Sequence, residues 1–389
     1  MRSFIGVAGA RLAAFAMFAY VLMMPVGLRA SESAGSEVDR MSTPERVHQE
    51  IWWPTKLPES RQGFVGSATC SECHEAKATS ARDSEMTKAL LRPRDSDVLR
   101  TRSGTTFELD SFLYKLEQTP QGFLFSAGKG GQSASLPITW AFGDGNISQV
   151  YFTEVQGKYY ESHFSYYGGT GGFDRTTNQG RQAESISAAI GRVVSPGEAR
   201  RCFACHATAV TANGGYEDIG LGVLCEACHG PGADHVAAMK SGVPGGEGLI
   251  MNPSHLAPTA SVDFCGSCHM TWVDVGLSEV AGPPTTRFPA YGLLNSRCWG
   301  DGDTRITCVG CHDPHQPLVR GTAKYDYRCL ACHVTTGVSP TKDHPGQACP
   351  TASRDCASCH MPRVEFADSH HAFTDHEIRV VRTSVARAR

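Results

Sequence analysis

The residues with the most chemistry in them are cysteines followed by a histidine. The chain holds sixteen cysteines in 389 residues. Fourteen of them form seven copies of Cys-x-x-Cys-His: Cys70, Cys73 and His74; Cys202, Cys205 and His206; Cys225, Cys228 and His229; Cys265, Cys268 and His269; Cys308, Cys311 and His312; Cys329, Cys332 and His333; Cys356, Cys359 and His360. Two thiols on one turn of backbone can add to the two vinyl groups of a haem, and the next residue sets an imidazole beneath the iron. Zinc is the rival chemistry. Nineteen residues separate Cys202/Cys205 from Cys225/Cys228, and seventeen separate Cys308/Cys311 from Cys329/Cys332, both ribbon-like spacings. A ribbon, however, has no use for a histidine directly after the second cysteine, and all seven copies carry one. The expected cofactor is haem c, seven copies covalently bound, with the seven motif histidines as proximal ligands.

Each iron has a second axial position. The histidines outside the motifs and after the first thirty residues are His48, His163, His235, His255, His315, His344, His370, His371 and His376. That is nine candidates for seven places, which predicts mostly bis-histidine haems, with His235, His255, His315, His344, His371 and His376 as the principal candidates. His315 follows His312 by three residues, a reach of about 10 Å at most, too short to pass round a macrocycle to its far face. His315, and by the same reasoning His235, should therefore serve a neighbouring haem. The motif at Cys70 stands alone, and Met86 is a candidate sixth ligand there, with His163 or His48 as alternatives. A thioether would raise that haem's potential.

The elements that must position these groups fall into regions. Residues 1–30 have a basic start at Arg2 and Arg11, an apolar run from Ala13 to Val26 and a small residue, Ala30, before polar Ser31-Glu32-Ser33. This reads as a cleaved export signal, the run falling short of the roughly 20 residues a membrane span needs. Residues 31–104 form a polar arm, joined to the body near Trp52-Trp53-Pro54, and the first motif. Residues 105–175 lack cysteine and alternate strand patterns with Gly-rich turns, which predicts a small antiparallel β insertion. Residues 176–389 carry six motifs at spacings of 23, 40, 43, 21 and 27 residues, too little chain for independent subdomains. Ser195 with Glu198 three residues later predicts a helix start leading into Cys202. The expected class is mainly α with abundant loops. Cys298 and Cys349 are left over and, in an oxidising compartment, are expected to pair. The basic stretch Arg379 to Arg389 reads as a solvated tail.

Three stretches resemble the cytochrome c-554 family, within a larger group that includes hydroxylamine oxidoreductase and pentahaem nitrite reductase. They are Cys225-Glu-Ala-Cys-His-Gly-Pro-Gly-Ala-Asp-His235, Cys308-Val-Gly-Cys-His-Asp-Pro-His315 and Cys356-Ala-Ser-Cys-His-Met-Pro362. The resemblance covers Cys202 to His376 well and the first motif loosely. It implies a multihaem cytochrome c fold, parallel-stacked and perpendicular haem pairs, and distal-ligand roles for His235 and His315. No motif ends in lysine, and no tyrosine matches the one that cross-links to the catalytic haem of hydroxylamine oxidoreductase. The enzymatic members therefore lend no active site.

Two functions compete. One is an electron carrier between redox partner proteins, with six-coordinate irons. The other is a reductase or oxidase of a small nitrogen or sulfur compound at one open haem. The supply of spare histidines favours the carrier, and no catalytic residue set is visible. A net charge of −3 gives no reason to expect nucleic acid. A periplasmic or extracellular location follows from the export signal. Membership of a larger membrane redox complex is a third, weaker expectation.

Overall fold

The computed structural model describes residues 52–380 except 59, 178, 180, 181, 211–219, 279, 301–305 and 334–348. The export signal, His48, His344 and most of the basic tail lie outside the described residues.

The β region is larger than one small insertion. Four antiparallel strands, Thr106–Leu109, Phe112–Thr119, Gly122–Lys129 and Gln132–Pro137, pair in chain order. Period-two alternation explains the second of these: Phe112, Tyr114 and Leu116 are buried while Leu113 is exposed. A second sheet pairs Leu90–Leu91, Trp140–Phe142, Ser148–Val155, Lys158–Tyr167 and Arg192–Val194 in that order, with Gly172–Arg175 added to Lys158–Tyr167. Residues of both sheets share one core, in which Phe164 meets Tyr114, Phe125 and Tyr151 at centroid distances of 5.4, 5.0 and 5.7 Å.

Strand Trp140–Phe142 shows how this region reaches the motifs. Ala141 faces the shared core, while Trp140 and Phe142 face the other way, onto Ala199 and Phe203 of helix Pro196–His206. That helix begins at Ser195, whose hydroxyl accepts from the Glu198 amide at 3.2 Å, and carries Cys202, Cys205 and His206 across the sheet. Truncating Phe203 to alanine would cost about 3–5 kcal/mol by the usual core values and loosen that seat.

From Cys225 onward the helices are short. Cys225–His229, Cys308–Cys311 and Cys356–His360 have five, four and five residues. The longest helix among the described residues of this part, Pro258–His269, has twelve. A Cys-x-x-Cys-His motif needs only one helical turn, and Gly or Pro follows soon after. The mainly α expectation with a small β insertion therefore fails: the chain is a mixed α and β structure with several sheets. The strands supply the large aromatic core that the brief motif helices are too short to build. Among the described residues, no helix is long and apolar enough to cross a membrane.

Candidate haem-binding sites

Each motif folds so that its three reactive groups come from one turn. The amides of His74, His312 and His333 donate to the carbonyls of Cys70, Cys308 and Cys329, each at 2.9 Å. Backbone bonding of this kind aims two thiols and an imidazole to one side.

The ribbon-spaced cysteines turn to different neighbours. The Cys205 thiol neighbours Cys268, and its sulfur lies 3.8 Å from the Ser267 carbonyl. Cys70 neighbours Cys225, and Cys265 neighbours Cys308. Burial, reinforced by the neighbouring Cys225 and Glu226, pushes the Cys70 thiol up to about 11. Among the described residues no group of three or more His, Cys, Asp or Glu side chains converges as a metal-ion cage. Cys298 lies in helix Arg297–Gly300 and Cys349 is exposed; the two are not joined to one another.

Among the described residues, three pairs of histidines face one another. His74 and His235 have ring centroids 6.4 Å apart and planes 20° apart. His229 and His315 stand at 6.2 Å and 21°. His312 and His376 stand at 6.3 Å and 43°. Two imidazoles bound through nitrogen at about 2.0 Å to opposite sides of one metal ion have centroids about 6.3 Å apart. Direct ring stacking would bring centroids to about 4.5 Å or somewhat more in offset contacts. All three separations match the metal-spanning value, and they vary by only 0.2 Å (6.4 against 6.2).

The hydrogen bonds of these rings prepare them in one way. Nδ1 of His206, His229, His235, His360 and His376 points at the carbonyls of Ala89, Met251, Gly246, Arg379 and Thr374, at 2.8–3.0 Å. Nδ1 of His315 faces Asp313 Oδ1 at 3.3 Å, and that of His312 faces the Tyr325 hydroxyl at 3.4 Å. A carbonyl can only accept, so Nδ1 carries the proton and Nε2 keeps its lone pair outward, the tautomer a metal requires. Burial lowers the pKa of His206, His229, His269, His312 and His376, which favours the same neutral form.

The other candidates lie elsewhere. His163 is buried in the β region, with Nδ1 3.1 Å from Gln179 Oε1 and Nε2 2.7 Å from Asp110 Oδ2. Both nitrogens are engaged, so it is a structural histidine. Arg175 also binds Asp110, at 2.6 Å. His255 is exposed beside Asn252 at 3.4 Å. His370 packs on Tyr167 at 4.2 Å between centroids, and His371 lies edge-on to Phe373 at 5.0 Å. Met86 sits in the short helix Glu85–Lys88, where its carbonyl accepts from Val223; the ring that faces His74 belongs to His235. His333 and His360 each close a motif turn.

Sequence reading passed over Glu226 and Asp326, charged residues within or beside motifs whose carboxylates bind backbone amides at or just before another motif. No sequence pattern announces such long-range partners. Trp52 and Trp53 were legible only as the place where the arm meets the body.

Residues 158–230 match the family model for cytochrome c554 and c-prime. The matched stretch begins at strand Lys158–Tyr167 and includes the motifs at Cys202 and Cys225; it overlaps the expected span, Cys202 to His376, only in that first part. The crystal structure of the outer cell wall cytochrome OcwA superposes with a TM-score of 0.48 at 14% identity, over 82% of this chain and 80% of that one. No curated protein matches. The family match, on a chain whose cysteines and histidines recur in the haem-attachment pattern throughout, identifies it as a multihaem c-type cytochrome.

Proposed function

We propose that this chain is an exported cytochrome with seven covalently bound haems that carries electrons between redox partner proteins, the irons being mostly six-coordinate. The observation that carries the reading is the common spacing of the three histidine pairs, 6.2–6.4 Å. A pair of opposed imidazoles leaves no position for substrate and changes little between oxidation states, which suits transfer better than catalysis. Seven thiol pairs supply attachment, and the motif histidines supply the proximal ligands. His235, His315 and His376 are the distal ligands opposite His74, His229 and His312, so that Met86 is a packing residue. Bound haem supplies one-electron iron chemistry whose potential follows from its axial ligands and surroundings. The chain's own part is to hold imidazoles in the Nδ1-protonated tautomer, through backbone carbonyls at His206, His229, His235, His360 and His376 and through Asp313 at His315. Export is supported by the charge and hydropathy pattern of residues 1–30.

Electron paramagnetic resonance of the oxidised holoprotein tests the reading. Low-spin signals should dominate. A spectrum dominated by high-spin iron would overturn the carrier and favour open, reactive haems.

A further inference from the structure

We propose that Glu226 and the tandem Trp52-Trp53 are positioning residues that lock the Cys225–His229 motif between the motifs at Cys70 and Cys265, so that three haems form a rigid relay out of chain order. The proposal rests on the haem reading above.

Glu226 occupies the first position between Cys225 and Cys228. It is 3% exposed, and a buried carboxylate is costly unless its oxygens are hydrogen-bonded. Its Oε1 accepts from the amides of Val65 at 2.8 Å and Gly232 at 2.9 Å, and its Oε2 from the Gly66 amide at 2.8 Å. Val65 and Gly66 lead directly into helix Ser67–Ser71, which contains Cys70. Gly66 has φ +80°, a conformation glycine adopts without strain. The segment entering the first motif thus hangs from a side chain inside the third, and Cys70 and Cys225 are neighbours.

The tryptophans act on the other side. Trp52 Nε1 donates to the carbonyl of Ala227, within the Cys225 motif, at 3.0 Å. Trp53 Nε1 donates to Ser267 Oγ, within the Cys265 motif, at 2.6 Å. Adjacent residues are about 3.8 Å apart between Cα atoms, so two neighbouring indoles tie the two motifs to one short piece of backbone. Trp53 is fully buried, edge-on to Phe264 at 5.1 Å, in a cluster that includes Cys228. Gly230, which follows His229, leaves room for this arrangement: a Cβ there would lie 2.7 Å from Trp52 Cγ. The carboxylate device recurs at the far end of the chain. Asp326 accepts from the amides of Asp355 at 2.6 Å and Cys356 at 2.8 Å, docking the motif at Cys329 to that at Cys356. Electron tunnelling falls off exponentially with distance, so side chains that set motif spacing also set the rate and coupling between neighbouring haems.

The test uses the haem-loaded full chain. Denatured mass spectrometry first counts covalent haems; potentiometric titration and electron paramagnetic resonance then report how many are perturbed. Glu226→Ala should shift the signals of two haems. Trp53→Phe, which keeps an aromatic ring and removes the N–H, should also shift two. The double variant should shift three rather than four, because one motif is common to both clamps. Asp326→Ala should shift two others. If Glu226→Ala assembles poorly, Glu226→Gln keeps one acceptor oxygen and should show the same pair of shifts. Unshifted signals in fully loaded variants, or sets of shifted haems that do not overlap between Glu226 and Trp53, would overturn the proposal. A wild-type mass lacking covalent haem would instead overturn the reading beneath it.

Discussion

The imidazole of His235 faces that of His74 across 6.4 Å, with the two planes 20° apart, although His235 follows the third motif and His74 belongs to the first. The third motif therefore lends a ring to the first. The fifth lends one to the third, since His315 faces His229 at 6.2 Å. Each borrowed histidine ties two attachment sites together.

His235→Ala should convert one low-spin haem into a high-spin haem, and His235→Met should raise one potential of the set, because thioether favours ferrous iron. Met86→Ala should leave every potential and spectrum unchanged. Redox titration with visible and paramagnetic resonance spectra checks all three variants; a new high-spin signal in Met86→Ala would restore the methionine as a ligand.

The covalent count is the simplest measurement. The mature holoprotein, denatured and weighed, should exceed its polypeptide by seven haems. Replacing Cys356 and Cys359 together by alanine should lower that number by one.

Imidazole orientation predicts a spectroscopic difference. Near-coplanar ligands split the iron d orbitals they share, whereas crossed ligands leave them closer in energy and give a more anisotropic signal. The pairs His74/His235 and His229/His315, at 20° and 21°, should give ordinary rhombic low-spin signals, and His312/His376, at 43°, the most anisotropic of the three. His376→Ala should remove that signal and add a high-spin one. Survival of the anisotropic signal in the variant would separate His376 from His312.

The Asp110 network should matter for stability and not for haem. Burial alone would raise the pKa of Asp110, but hydrogen bonds from Arg175, His163 and the Ala183 amide outweigh it and hold the carboxyl at about 2. Asp110→Ala strands these donors in a buried place and should cost about 3–5 kcal/mol. Because the folded pKa lies below the unfolded value of about 3.9, the carboxylate's contribution is complete above that value and is lost as pH falls toward 2. Urea unfolding should show the gap between wild type and Asp110→Ala closing over that window, with the haem count the same in both proteins. His163→Ala should weaken the same network and leave all haem spectra unchanged.

Particular elements show how far the sequence could be read. Ser195 and Glu198 announced the helix Pro196–His206 because capping is local chemistry. The strands from Thr106 onward were legible from alternation and turn residues. Their division into two sheets was not, nor was the recruitment of Leu90–Leu91 and Arg192–Val194 at the edges of the second, because strand pairing joins residues that sequence separates. The mainly α expectation erred by confining the strands to one small insertion, when they build a four-stranded and a six-stranded sheet and each motif needs only one helical turn.

The sequence by itself determined the attachment chemistry, since Cys-x-x-Cys-His carries its thiols and its imidazole within a single turn. It also determined, through the reach of three residues, that His315 had to look beyond its own motif. Only the tertiary structure decided which rings meet: His235 with His74, His315 with His229, His376 with His312. It also decided that His163 is spent on Asp110 and Gln179. The physical reason is that an axial pair needs two nitrogens about 4 Å apart on opposite sides of one ion, a relationship between distant segments that only folding brings near.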